Sequence, residues 1–152
     1  MHGPAGQARS VSRTEPTLAE WRAGAEIYNI TLTAAVPGPT LGDFTLAIDY
    51  VGDAARLYYG GRLLTDNWYS GYSGEGAMEV GLNYLAEENP GLLEAGATLS
   101  LWILPLKQSD LKQHIYLQKR LWPTFPAGED SVVLQLNSVK MAGLIYTDLT
   151  LE

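Results

Sequence analysis

Two stretches, Phe44-Thr-Leu-Ala-Ile-Asp-Tyr50 and Arg56-Leu-Tyr-Tyr-Gly60-Gly61-Arg-Leu-Leu64, decide how this chain folds. In the first, Phe44, Leu46, Ile48 and Tyr50 alternate with Thr45, Ala47 and Asp49. A period of two places one set on one face of a strand and the other set on the opposite face. In the second, two glycines separate two β-prone runs. Both central residues of a tight type I′ hairpin turn need positive φ, which glycine supplies. The chain is therefore read as strands joined by tight turns.

Working outward, Tyr28, Ile30 and Leu32 repeat the alternation, and Val36-Pro-Gly-Pro-Thr40 breaks it. Ala77 to Leu82 reads as a short strand. Thr98 to Leu106 reads as a central strand whose Pro105 marks a bulge or an edge. Ile115 to Leu117 adds another. Val132 to Val139 and Leu144 to Leu151 read as the last two, split near Ala142-Gly143. The one helix candidate is Asn83 to Gly96, with a single short turn after Asn89-Pro90 and a glycine stop at Gly96. About eight or nine short strands with turn signals at regular intervals favour an all-β antiparallel β-sandwich of jelly-roll type with at most one short helix. A barrel is the alternative. No fixed-period repeat suggests a propeller.

Residues 1–24 differ in composition. They are rich in Gly, Pro, Ser and Ala, and Leu18 and Trp21 are their main apolar residues. They are read as a flexible linker or lead-in, and residues 25–152 as the β module. The lead-in lacks the apolar core of a signal peptide, which leaves localisation open, secretion of a parent protein included.

The whole chain has 152 residues, with 10 Lys and Arg against 17 Asp and Glu, a formal net charge of −7. That balance argues against nucleic acid or an anionic membrane as the partner. No apolar run approaches the roughly 20 residues that span a bilayer. With no cysteine and only His2 and His114, thiolate chemistry is excluded and a zinc site would need mostly carboxylates. No cofactor is expected. Asp-rich sandwich loops leave room for a structural Ca²⁺, although no EF-hand pattern is present.

The stretch from Asp49 to Gly71 resembles the C-terminal β-sandwich of family 35 glycoside hydrolases, the β-galactosidases. The resemblance rests on Tyr50-x-Gly52-Asp53, Ala55-Arg-Leu-Tyr58, a two-residue turn, and Asp66-Asn67-Trp68-Tyr69-x-Gly71. Further matches are Glu79-Val-Gly-Leu82, Leu104-Pro-Leu106 and Ile115-Tyr-Leu117, so the likeness runs from about Leu41 to about Phe125. The chain departs from the pattern where Ala77-Met78-Glu79 stands in place of a Trp-Glu pair and where Gly-Gly replaces Asn-Gly at the turn.

The resemblance implies a galactose-binding-like jelly roll, an accessory module rather than an enzyme. The parent's catalytic carboxylates would lie on a separate barrel of about 250 residues, too long for this chain. That barrel is the expected partner, with galactosides or other glycans second. The alternative is a protein-interaction or adhesion sandwich unrelated to sugar.

Asp66, Asn67, Trp68, Tyr69 and Tyr72 are the candidate carbohydrate-binding residues, because sugar C–H faces stack on rings and hydroxyls seek amides and carboxylates. The competing reading has the same rings plugging the core, and Asp53, Asp66 and Asn67 bonding nearby backbone. Arg56 and Arg62 are placed to pair with acids across the hairpin. Trp122 and Phe125 are candidates for a docking interface. Trp102, inside an apolar strand, is read as core. No residue is assigned a catalytic role, since a facing carboxylate pair about 5–9 Å apart is not legible in sequence.

Overall fold

The computed structural model describes residues 15–33, 41–69, 78–113, 123–126 and 131–145. These residues are mostly β. They form strands β1 (Glu26–Thr31), β2 (Leu41–Val51), β3 (Ala54–Tyr59), β4 (Arg62–Trp68), β5 (Met78–Gly81), β6 (Thr98–Leu104), β7 (Leu106–Lys107), β8 (Val132–Val133) and β9 (Gln135–Ile145). Two short helices, α1 (Leu18–Gly24) and α2 (Leu82–Glu88), and a 3-10 segment, Gln108–Gln113, complete the set. Ile115–Leu117 and the residues after Ile145 lie outside the described residues.

Every strand pair is antiparallel. One sheet has the order β1-β6-β3-β4, a second β5-β2-β9, and β7 pairs with β8. Thr98–Leu104 is thus the interior strand that its apolar composition suggests, and it ends immediately before Pro105. The alternation in β2 is realised: Leu46, Ile48 and Tyr50 are buried while Thr45, Ala47 and Asp49 are half-buried. They share a single cluster with Ala55 and Leu57 of β3, Met78 and Val80 of β5, and Leu99, Leu101 and Ile103 of β6. Both larger sheets therefore feed one core.

The hairpin turns at Gly60 and Gly61, with φ of 57° and 78°. It carries one irregularity. Leu57 faces Thr65 but Tyr58 faces Leu63, so Leu64 is an extra residue on β4. A bulge of this kind changes the phase of the strand, and Leu64 packs against the core.

The last strand differs from the expected two. β9 runs unbroken through Ala142-Gly143, paired along β2. Its phase change comes earlier: Ser138 faces Asp49 while Leu136 faces Tyr50, leaving Asn137 unpaired in register. That bulge lets both Leu136 and Val139 pack against the core despite their odd spacing.

The helix count also corrects the expectation of at most one. α2 occupies Leu82–Glu88, ahead of the expected turn, and residues 89–96 form turns instead. Gly91 and Gly96 have φ of 85° and 86°, which ends helical geometry there. α2 buries Leu82 and packs Leu85 and Ala86 on the core, while the Asn89 side chain donates to the Leu85 carbonyl at 2.7 Å.

α1 lies in the stretch read as lead-in. Thr17 and Glu20 form a reciprocal capping box: the Glu20 amide donates to Thr17 Oγ1 at 3.2 Å and the Thr17 amide donates to a Glu20 carboxylate oxygen at 2.7 Å. A seven-residue helix is marginal alone, so it needs packing. Trp21 supplies it, 2% exposed against Ala54 and Leu104 in a second small cluster, with Ala25 and Trp102 around it.

Two outcomes follow. Gly61→Val lowers stability by about 1–2 kcal/mol, because a β-branched residue resists positive φ even in open space. Thermal melts measure this, and an unchanged midpoint refutes the turn assignment. Trp21→Ala releases α1, so trypsin cleaves after Arg22 much faster while the sheets stay intact. Unchanged cleavage there shows that Trp21 is not what holds the helix.

Candidate functional site

The chain passes from one sheet to the other between β2 and β3, at Gly52-Asp53. The crossing is tight. A Cβ on Gly52 would lie 2.7 Å from Ile103 Cγ2 and 2.7 Å from the Leu104 carbonyl oxygen. That same oxygen accepts from the Asp53 amide at 2.8 Å, and the Asp53 carbonyl accepts from the Tyr69 amide at 3.1 Å. Tyr50, fully buried, accepts from Asn67 Nδ2 at 2.8 Å and donates to the Asn67 carbonyl at 3.3 Å. The Tyr69 ring meets Tyr50 edge-on, centroids 5.7 Å apart at 61°. Burial first, then the nearby negative charge of Asp49, pushes the Tyr69 phenol up, so it stays neutral. Tyr50, Gly52, Asp53, Asn67 and Tyr69 thus form one clamp tying the two sheets together.

Strand alternation divides the sequence candidates. Asn67 and Tyr69 turn inward to the clamp, and Tyr69 is 5% exposed. Asp66 and Trp68 turn outward, and Trp68 is 38% exposed. The cleft beside them, lined by Glu15, Pro16, Trp21, Ala54, Arg56, Asp66, Asn67 and Trp68, encloses about 10 Å³. That is room for about one water and not a sugar ring. Tyr72 and Trp122 lie outside the described residues. Phe125 is half-buried against the main core.

The outer face of the four-stranded sheet is arranged in rungs. Leu104, Ala54 and Trp68 are in register, followed by Ile27, Trp102, Arg56 and Asp66, then Asn29, Ser100, Tyr58 and Leu63, and Thr31 with Thr98. α1 packs on this face through Trp21. The Arg56 guanidinium lies 4.7 Å from the Trp21 ring centre and pairs with Glu15 at 2.9 Å. Glu15 is mostly exposed, so the ion pair contributes little, at most about 1 kcal/mol. Arg56 therefore reaches Glu15 rather than an acid across the hairpin, and Arg62 donates to the Glu88 carbonyl at 3.1 Å.

Beyond α1 the same face opens into a groove of about 440 Å³ lined by Leu18, Arg22, Tyr58, Gly60, Gly61, Thr98, Ser100 and Trp102. The Tyr58 and Trp102 rings are 5.0 Å apart and tilted by 46°. Trp102 Nε1 donates to Ser100 Oγ at 3.0 Å, which fixes the indole. Trp102 is thus half-buried on the outer face, not in the main core, because it shares parity with Ser100 while Leu101 and Ile103 face inward. A second opening of about 340 Å³ between α1 and β6 is lined by Glu15, Glu20, Asp53 and Asp110 with Lys107. Among the described residues no three His, Asp or Glu side chains are grouped as a metal site requires.

No protein-family model, curated protein sequence or solved structure matches the chain.

Gly52→Ala is expected to cost about 1–3 kcal/mol, since the Leu104 oxygen is fixed within a strand and cannot give way. For a chain of this size the melting midpoint falls by several degrees. A midpoint equal to wild type shows that the crossing is looser than the structure has it.

Proposed function

We propose that this chain is a non-catalytic accessory module of a β-galactosidase-like glycoside hydrolase, a jelly-roll sandwich that packs on the catalytic barrel and binds carbohydrate. One observation carries the reading. Five of the residues that carry the resemblance, Tyr50, Gly52, Asp53, Asn67 and Tyr69, clamp the two sheets. Their role here is to hold a scaffold, which is what an architectural module needs from its signature residues. A core fed by both sheets supports the sandwich arrangement.

The carbohydrate part of the reading rests on the outer sheet face. There aromatic rings stand beside hydroxyls and an arginine, the mixture that suits a sugar.

Co-expression with a family 35 catalytic barrel from the same genome tests the reading. Size-exclusion chromatography with light scattering shows an equimolar complex, and the chain alone leaves a nitrophenyl galactoside unhydrolysed. A chain that stays separate from that barrel, or that cleaves the galactoside by itself, overturns it.

A further inference from the structure

We propose that the groove between α1 and the Gly60-Gly61 turn is a saccharide site, taking a pyranose ring whose apolar face lies on Trp102 and Tyr58. The inference rests on the carbohydrate part of the function proposed above and gives it a place distinct from the Asp66-to-Tyr72 stretch.

The geometry favours this groove over the cleft at Trp68 by size alone. At about 440 Å³ it falls within the range of small-ligand pockets, whereas the cleft encloses about 10 Å³. Its aromatic pair is held in place: Tyr58 is braced against Trp102, and the indole N–H is already committed to Ser100 Oγ. The indole therefore offers its face rather than its polar edge. A pre-set ring limits the entropy lost when a ligand stacks on it. Hydroxyls stand in register beside the rings, Ser100 opposite Tyr58 and Thr98 on the next outward rung of β6. Arg22, exposed on α1, adds donors along one wall. At the far end Gly60 and Gly61 have no side chains, and no described residue comes within 4 Å of a Cβ built on either, so a chain of sugars can run out past the turn.

Charge points the same way. Among the described residues the lining holds one cation and no carboxylate, in a chain of formal net charge −7. Among the described residues, the acidic opening beside Glu20 and Asp110 has no aromatic ring. Of the three openings described along α1, this groove combines stacking surface, hydroxyls and a donor cation.

The test is an NMR titration of the isotope-labelled full chain with lactose and a β-linked galactotetraose, up to tens of millimolar, where weak sugar sites saturate. Shifts cluster on the Tyr58, Ser100 and Trp102 amides and on the Trp102 indole N–H. Tyr58→Ala and Arg22→Ala each weaken binding by about tenfold or more while the remaining amide spectrum keeps its dispersion. Both side chains point away from the main core, so loss of folding does not stand in for loss of binding. Shifts centred on Asp66 to Trp68 instead overturn the groove assignment but leave a sugar-binding module. No shifts with any galactoside overturn both the groove and the carbohydrate part of the function, while complex formation with the barrel is judged separately. Unchanged affinity in both variants also overturns the assignment.

Discussion

The arrangement depends on how closely the β2–β3 connection passes β6. With ordinary φ but no room for a Cβ, Gly52 brings the chain against the Leu104 carbonyl. The Asp53 amide can then reach that carbonyl, which places the Asp53 carbonyl to receive the Tyr69 amide. With the crossing fixed, Tyr50 on one sheet meets Asn67 on the other. A buried tyrosine hydroxyl without a partner would cost about 1–3 kcal/mol, so its double engagement with Asn67 makes the relative placement of the sheets specific. The demands at Gly52 and Gly61 are different in kind. Gly52 is required by space, and Gly61 by backbone angle in open surroundings.

Much of this was legible in the sequence. Alternation in Phe44–Tyr50 and the Gly-Gly pair gave β2, β3, β4 and the turn, because strand parity and positive φ leave direct traces in residue type. The helices were less legible. Thr17-x-x-Glu20 is a capping-box pattern, but Gly, Pro and Arg around it give the segment a linker composition, and what makes it helical is Trp21 docking on a sheet far away in sequence. α2 follows Gly81 at its N-cap with no side-chain cap, so its start carries no local signal, and it is held by Leu82 reaching the core. β9 looked like two strands because Ala142-Gly143 reads as a break, yet both stay in the ladder, opposite Thr45 and Phe44, and that pairing leaves no trace in the local sequence.

The candidate site shows the same limit. Adjacent residues of a strand point to opposite faces, so Trp68 and Tyr69 could not both line one surface. Parity alone would have separated them, but not decided which faced in; the clamp to Tyr50 and Asp53 decides that. Trp102 was hidden by its neighbours. Leu99, Leu101 and Ile103 give β6 its core character, and Trp102 lies between them with the parity of Ser100 and Thr98. Its pairing with Tyr58 depends on the β3–β6 register, which no local pattern encodes.

The clamp and the groove draw on different residues: the clamp holds Tyr50, Gly52, Asp53, Asn67 and Tyr69, and the rings of the groove are Tyr58 and Trp102. Of the stretch from Asp49 to Gly71, Tyr58 and the turn glycines Gly60 and Gly61 line the groove. A likeness that rests on the clamp therefore speaks to how the sheets are joined. It says little about what the outer face holds, since function resides in the site and not in the fold that presents it. The same clamp nevertheless serves the groove indirectly. By fixing where β3 begins, it sets the register of β3 on β6, and that register brings Tyr58 diagonally beside Trp102. α1 then adds Leu18 and Arg22 as a wall, anchored one rung away by Trp21. Scaffold and site are thus coupled through strand register, so a change at the crossing should reach the groove without touching any residue that lines it.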